Sequence, residues 1–227
     1  METKVVGTNS IEDTSVIVPT FNEEKCIPLT LELLMKLAFR EIIVADGGSL
    51  DGTPEIAERN GAHVVIEKGG GYGAAVLRGL HEAKGAFVVI FDVGFNYNPN
   101  DINKLVNILK ENDDVGMVIG SRTVLKKSFF LKFLNITFRL LFGRSTTDVD
   151  SSFIAFRKNV MLDMRLSSSD FSHPVAIRMK LLRKGYKIVE VPVEYYKDRN
   201  MPRKYKVIQG FMVLRKIISS RFDDDSS

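Results

Sequence analysis

The ionisable residues of this 227-residue chain that could do chemistry recur at one kind of position, the end of a short apolar, β-branched run. "SVIVPTFNEE" leads to Asn22 and Glu23, "EIIVAD" to Asp46, "HVVIEK" to Lys68, "FVVIFD" to Asp92, and "VGMVIGSR" to Ser121 and Arg122. Carboxylates at such ends can accept from nucleobase N–H donors or hold a hard cation, and basic groups suit phosphate. Asp92 is followed by Gly94 and Asn96, a thin oxygen set for a metal. Much of a cation's shell would then come from a diphosphate and water. Further along, "DRNMPRK" offers Arg199, Arg203 and Lys204. His63 and His173 fall at no metal or triad spacing, and the single cysteine, Cys26, excludes a disulfide framework and a cysteine-based zinc site.

The elements that must position these groups alternate. The apolar runs are separated by helix-like segments at about residues 23–38, 54–60, 73–83 and 99–112. Continuous apolar strands between helices predict a mostly parallel sheet covered on both faces, with ligands beyond the carboxyl ends of its strands. A hydrophobic content of 44% and 26% charged residues suit one large α/β domain. The net charge of +4 permits an anionic partner without selecting one, and nucleic acid is not the expectation. Residues 1–13 read as a flexible N-terminus without the apolar core of a signal peptide, 14–204 as the domain, and 223–227 as a frayed tail.

The second half differs in character. Over 124–144, Ser128, Lys132, Asn135 and Arg139 form one narrow polar stripe, and almost everything else is Phe, Leu or Ile. This reads as a helix on a membrane surface, or as one buried in the domain or a dimer. Residues 205–222 repeat the theme, with Val207, Phe211, Leu214 and Ile218 beside Lys206, Arg215 and Lys216. Charged residues interrupt both stretches, so neither is expected to span a bilayer.

"EKGGGYGAAVLRGL" opens a helix after a strand, and Gly69, Gly71 and Ala74 fit G-x-G-x-x-A. Asp92 ends the next strand, so a nicotinamide- or flavin-dependent oxidoreductase is one reading. Glu67 and Lys68, placed where a pyrophosphate would approach, and the unit's third place in the chain argue against it.

Read in order, "SVIVPTFNEE", "VADGGSLDGT", "KGGGYGAAVLRGL", "FDVGFNYNP", "VIGSR" and "GYKIVEVPVEY" resemble family-2 glycosyltransferases, specifically the dolichyl (polyprenyl) phosphate mannosyl- or glucosyltransferases. The likeness covers about residues 14–205. It implies an α/β fold of GT-A type: a Rossmann-like, mostly parallel mixed sheet flanked by helices, with amphipathic interfacial helices added. It also implies donor contacts from Pro19, Asn22, Glu23, Asp46, Lys68, Arg78, Asp92 and Val93, and Mg²⁺ or Mn²⁺ on Asp92 and Asn96. Arg122, Arg199, Arg203 and Lys204 would meet phosphates and the acceptor, and Asp92, Arg122 and Asp148 would form the catalytic set. Asp51, Ser49 and Thr53 read better as turn and cap residues.

The family's D-x-D-x-Q becomes Asp92-x-Gly94-x-Asn96 here. In "DVDSSFIAF", Asp150, Ser152 and Ile154 depart from D-x-T-S-G-F-R-A-F, and Ala176 stands where a Glu is usual. A lipid phosphate, with a second ionisation at about 6, needs no general base, so a site poor in acids still suits it. The expected partners are GDP-mannose or UDP-glucose, a polyprenyl or dolichyl phosphate, and the cytoplasmic face of a membrane as a peripheral protein. A membrane subunit or a second copy of the chain is compatible. Loss of the second acid leaves open a protein that binds nucleotide sugar without turnover.

Overall fold

A computed structural model of the chain describes residues 11–94, 96–122, 129–142, 146–164, 166–167, 174–196, 213–215 and 217–219. Seven strands form one sheet: β1 (Thr14–Thr20), β2 (Glu41–Asp46), β3 (His63–Ile66), β4 (Phe87–Ile90), β5 (Val115–Ser121), β6 (Ile154–Arg157) and β7 (Lys187–Pro192). Their order is β3-β2-β1-β4-β6-β5-β7, parallel throughout except for β6, which runs antiparallel to β4 and β5. The chain moves outward from β1 to β3, then returns to add β4 on the other side of β1. The crevice beyond the carboxyl ends of β1 and β4 is therefore a topological switch point, where such sheets bind ligands.

Helices cover both faces: α1 (Ile27–Met35), α2 (Thr53–Arg59), α3 (Gly71–Glu82), α4 (Asp101–Glu111), α5 (Phe129–Phe142), α6 (Lys158–Asp163) and α7 (Pro174–Arg183). Strand alternation divides the core. Val16, Val18 and Val44 face Leu31, Leu34, Leu105 and Leu109, while Ile17, Ile43 and Ala45 face Val76, Leu80, Ile177 and Leu181. Gly79 lets α3 lie close on β1, since a Cβ there would come within 2.9 Å of Ile17 Cγ2.

The expected helix at 23–38 starts later, at Ile27. The Glu23 and Glu24 amides are drawn off to Thr53 Oγ1 and Asp51 Oδ2, at 2.8 and 3.2 Å, and Pro28 stands in the first helical turn. The folded unit also begins ahead of Thr14. Ile11 is buried in the core, and the Asp13 carbonyl accepts from the Phe87 amide at 3.2 Å.

A third apolar cluster joins α5 to α7 and the C-terminal segment: Leu134 and Phe138 pack with Val149, Val175, Met179, Val213 and Ile217. The buried side of the described C-terminal residues is thus Val213 and Ile217, whereas Ile218, expected in the apolar stripe, is 46% exposed. The polar stripe of α5 is divided too. Lys132 and Arg139 are exposed, but the Asn135 amide turns in, donating to the Thr147 carbonyl (2.8 Å) and accepting from the Val149 amide (3.0 Å). Among the described residues, no helix is long and apolar enough to cross a membrane.

Candidate active site

At the switch point lies a pocket of about 570 Å³, within the range of small-ligand sites. One wall comes from the end of β1, with Pro19, Thr20, Phe21 and Glu23; another from the glycine-rich start of α3, with Gly69, Gly71 and Tyr72; a third from Asp92 and Val93 beyond β4. Gly69 and Gly71 have φ of 82° and 70°, and an added Cβ at either meets nothing within 4 Å. Backbone that only glycine adopts readily is here laid open to a ligand at a helix N-terminus, an arrangement suited to phosphate.

Asp92 is the pocket's fixed carboxylate. Its Oδ1 accepts from the Tyr72 hydroxyl at 2.9 Å, and its Oδ2 from the Ser152 hydroxyl. Withdrawal of the Tyr72 hydroxyl from solvent, together with the neighbouring Asp92 charge, pushes its pKa well above the ordinary tyrosine value, so it stays a donor. Burial raises the Glu23 carboxyl above the usual carboxylate range, and Asp51 and Asp92 add to the shift. Gly94, which replaces the expected second acid, has φ of 110°, and its amide donates to Thr30 Oγ1 at 3.1 Å. Asn96 lies across that turn, its Nδ2 3.7 Å from where a Gly94 Cβ would stand. Among the described residues, no three of His, Cys, Asp and Glu converge as a ready-made metal cage.

Of the expected donor contacts, Pro19, Glu23, Asp92 and Val93 line the pocket. Asp46 is corrected. It is fully buried, and its two oxygens accept from Thr20 Oγ1, Ser49 Oγ and the amides of Gly48 and Ser49, at 2.6 to 2.9 Å. Four bonds fill a carboxylate's capacity, so Asp46 closes its own loop and has no lone pair left for a base. Asn22, exposed and at φ 55°, accepts from the Leu50 amide on its Oδ1 at 2.9 Å, tying the β1–α1 loop to the β2–α2 loop beside the pocket wall. Arg78 points to solvent and pairs with Glu82 on α3 at 2.8 Å, outside the pocket wall. Lys68 is exposed, with its chain against Gly48 beside the pocket. Asp51 serves as a turn residue, accepting from the Thr53 amide at 3.0 Å, in line with its expected cap role.

The residues expected to meet the acceptor form a second constellation. Arg122 forks onto Asp148, with Nε and Nη2 each 2.7 Å from a carboxylate oxygen, and its own amide adds a third bond at 3.0 Å. Burial opposes the guanidinium charge, but Asp148 more than offsets it and holds the pKa above the ordinary arginine value. Asp148 is itself buried and takes three hydrogen bonds from Arg122, so within the expected catalytic set its place is to orient that guanidinium. The Arg122 charge is thus matched by an internal carboxylate, while part of its side chain stays exposed. Behind them Arg178, 2% exposed, donates to the Asp148 carbonyl at 2.9 Å and lies 3.7 Å from Glu190. Arg199, Arg203 and Lys204 lie outside the described residues.

Several site residues escaped the sequence reading. Phe21, 60% exposed beside Gly47 in the pocket, offers a flat face to a base. The signal for Tyr72 was its place within the glycine run. Ser152 and Arg178 owe their roles to contacts 60 and 30 residues away, which no local pattern carries.

A parallel-dominated sheet with a pocket at its switch point, glycine backbone facing the ligand and a carboxylate at the mouth define a nucleotide-binding α/β protein. The sequence profile of Glycosyl transferase family 2 matches residues 15–185, and the chain belongs to that family. It is 30% identical over 190 residues to the glycosyltransferase AglJ of Haloferax volcanii, covering 80% of this chain and 62% of that one. It is 34% identical to the Methanocaldococcus jannaschii protein MJ1222, over 91% of each. The chain spans 62% of AglJ, and only 47% of the low-salt glycan biosynthesis hexosyltransferase Agl6 of Haloferax volcanii. Glucosyl-3-phosphoglycerate synthase from Mycobacterium tuberculosis, crystallised with Mn²⁺, UDP-glucose and phosphoglyceric acid, superposes with a TM-score of 0.76 at 21% identity, covering 94% of this chain and 81% of that one. The fold is therefore GT-A, and the family match displaces the oxidoreductase reading of the glycine run.

Proposed function

We propose that the chain transfers a hexose from UDP-glucose or GDP-mannose to a polyprenyl phosphate at the cytoplasmic membrane face, with inversion. The observation that carries the membrane and lipid part is the outward face of α5. Phe133, Ile136 and Leu140 are 45%, 49% and 76% exposed, beside exposed Lys132 and Arg139. Apolar side chains below and cations at head-group level suit an anionic lipid surface. From the inward side of the same helix, Asn135 grips residues 147 and 149, on either side of the aspartate that holds Arg122. A helix lying in the interface would thus set the height of the acceptor side of the site.

The donor set fits a divalent cation carried by a diphosphate rather than caged by protein, since Mg²⁺ commonly takes one or two carboxylates plus substrate phosphates. Asp92 would hold it, with Asn96 at the same turn, and the Mn²⁺ of the mycobacterial enzyme supports this reading. When bound, the cation neutralises charge on the leaving diphosphate. The chain's own part is placement: Phe21 and Pro19 flank the base, Gly69 and Gly71 present backbone to the diphosphate, and Tyr72 and Ser152 keep Asp92 aimed. The acceptor's phosphate oxygen attacks the anomeric carbon while the bond to the diphosphate breaks and the diphosphate leaves with the electron pair. No proton need be removed, so positioning replaces a general base. Gly94 favours a second reading, a binder without turnover, which differs from the first only in product formation.

Co-sedimentation with vesicles containing phosphatidylserine tests the membrane arm. Phe133→Asp with Leu140→Asp should abolish most of the pelleting seen with the unaltered protein. Equal pelleting of the two proteins would sink the interfacial role of α5.

A further inference from the structure

Burial alternates through residues 150–153. Ser151 and Phe153 are buried, and the Ser151 hydroxyl donates to the Gly120 carbonyl at 2.6 Å, whereas Asp150 and Ser152 are only partly covered. Ser152, two residues further on, donates to the Asp92 carboxylate. Asp150 stands in the turn just before it, close enough to feel the Asp92 charge, with its Oδ2 4.0 Å from Arg122 Nη2.

The neighbouring carboxylates are all committed. Asp148 takes three bonds from Arg122, Glu190 takes Thr146 and Thr147, and Asp92 takes Tyr72 and Ser152. Asp150 accepts no hydrogen bond from any described residue, and its side chain remains 37% exposed. Its position and its charge select the ligand. A carboxylate there repels an acceptor phosphate, and the nearest cation, Arg122, is already matched by Asp148. A neutral polyol fits, because vicinal hydroxyls donate well to a carboxylate and such charge-assisted bonds are the stronger class. Beyond the diphosphate, the polyol present is the sugar being transferred.

We infer that Asp150 is a specificity-determining residue whose carboxylate accepts hydrogen bonds from hydroxyls of the donor's hexose. This deepens the proposed function and rests on it. The perturbed ionisation of Asp150, raised by burial and by the nearby Asp148 and Asp92 against the pull of Arg122 and Arg178, agrees with a carboxylate short of hydrogen-bond donors until a ligand supplies them.

The test needs no acceptor. UDP, GDP, UDP-glucose and GDP-mannose are titrated calorimetrically, with Mn²⁺ present, into the unaltered protein, Asp150→Asn and Asp150→Ala. Removing an anionic acceptor should weaken the preferred nucleotide sugar by roughly tenfold to a hundredfold while leaving the matching bare nucleotide within about twofold. Unchanged affinity for both nucleotide sugars in both variants overturns the assignment. Equal weakening of bare nucleotide and nucleotide sugar also overturns it, since Asp150 would then act on the diphosphate. If the unaltered protein binds neither nucleotide nor nucleotide sugar, the glycosyltransferase reading fails and the assignment fails with it.

Discussion

Asp92 and Asp150 are carboxylates near enough to feel each other's charge, under opposite constraints. Asp92 is held by two hydroxyls, which fix the direction of its carboxylate. Asp150 accepts no hydrogen bond from any described residue. Burial pushes its carboxyl up to about 6, with Arg122 and Arg178 pulling down and Asp148 and Asp92 pushing further up. The folded-state pKa lies above the unfolded value, so ionised Asp150 costs stability above that pH, and the cost fades as pH falls toward 3.8. Asp150→Asn should therefore stabilise the protein near neutral pH. After discounting for solvent screening of a side chain more than a third exposed, the gain is about 1 kcal/mol. Thermal melts of the two proteins should differ at about pH 7.5 and converge by about pH 4. A variant no more stable than the parent at the higher pH would contradict the strained environment described for Asp150. Stability gained by deleting a functional carboxylate is a familiar trade in binding sites.

At the scale of elements, the unit that matters is the end of β5 with α5, the loop at 146–153 and β6. Arg122 and Asp148 join its two ends, and Arg178 on α7 closes it from behind. Removing one partner of a buried pair leaves an uncompensated charge, so Asp148→Ala should cost about 3–5 kcal/mol by urea unfolding. Arg122→Met with Asp148→Leu should recover much of that loss, because the pair itself contributes little beyond its own desolvation. An Asp148→Ala loss below about 1 kcal/mol would show that solvent screens the pair.

This unit was also the least legible part of the sequence. Five apolar runs ending in polar residues foretell parallel strands and a site at their carboxyl edge, and Asp92, Glu23 and Pro19 lie there. The antiparallel turn of β6 and the pairing of Arg122 with Asp148 depend on contacts 26 residues or more apart. Asp46 and Asn22 look like ligand residues because strand-end polar groups often are; which ones close loops is decided by partners such as Thr20 and Leu50 on neighbouring segments. The sequence marks Asp150 and Ser152 only as departures from the family pattern; their nearness to Asp92 needed the fold.

At the scale of the whole molecule, one sheet edge gathers a pocket for a nucleotide, the carboxylate of Asp92 on its wall, and an arginine pair matched by internal acids. One helix carries an exposed apolar face outward while its inner face holds the loop at 147–149. These parts are consistent with a protein that takes a soluble donor from one side and a lipid acceptor from the other. Gly94 is the place where that arrangement is thinnest, since its φ of 110° disfavours any side chain and Asp92 must serve without a second acid. The decisive measurement is transfer of radiolabelled hexose from UDP-glucose and from GDP-mannose to a polyprenyl phosphate in vesicles, with Mn²⁺ and with EDTA. Labelled lipid formed from one donor with Mn²⁺, and lost with EDTA, is the expected result. Calorimetric binding of the same nucleotide sugar with no labelled lipid from either donor would contradict it and leave a nucleotide-sugar binder in its place.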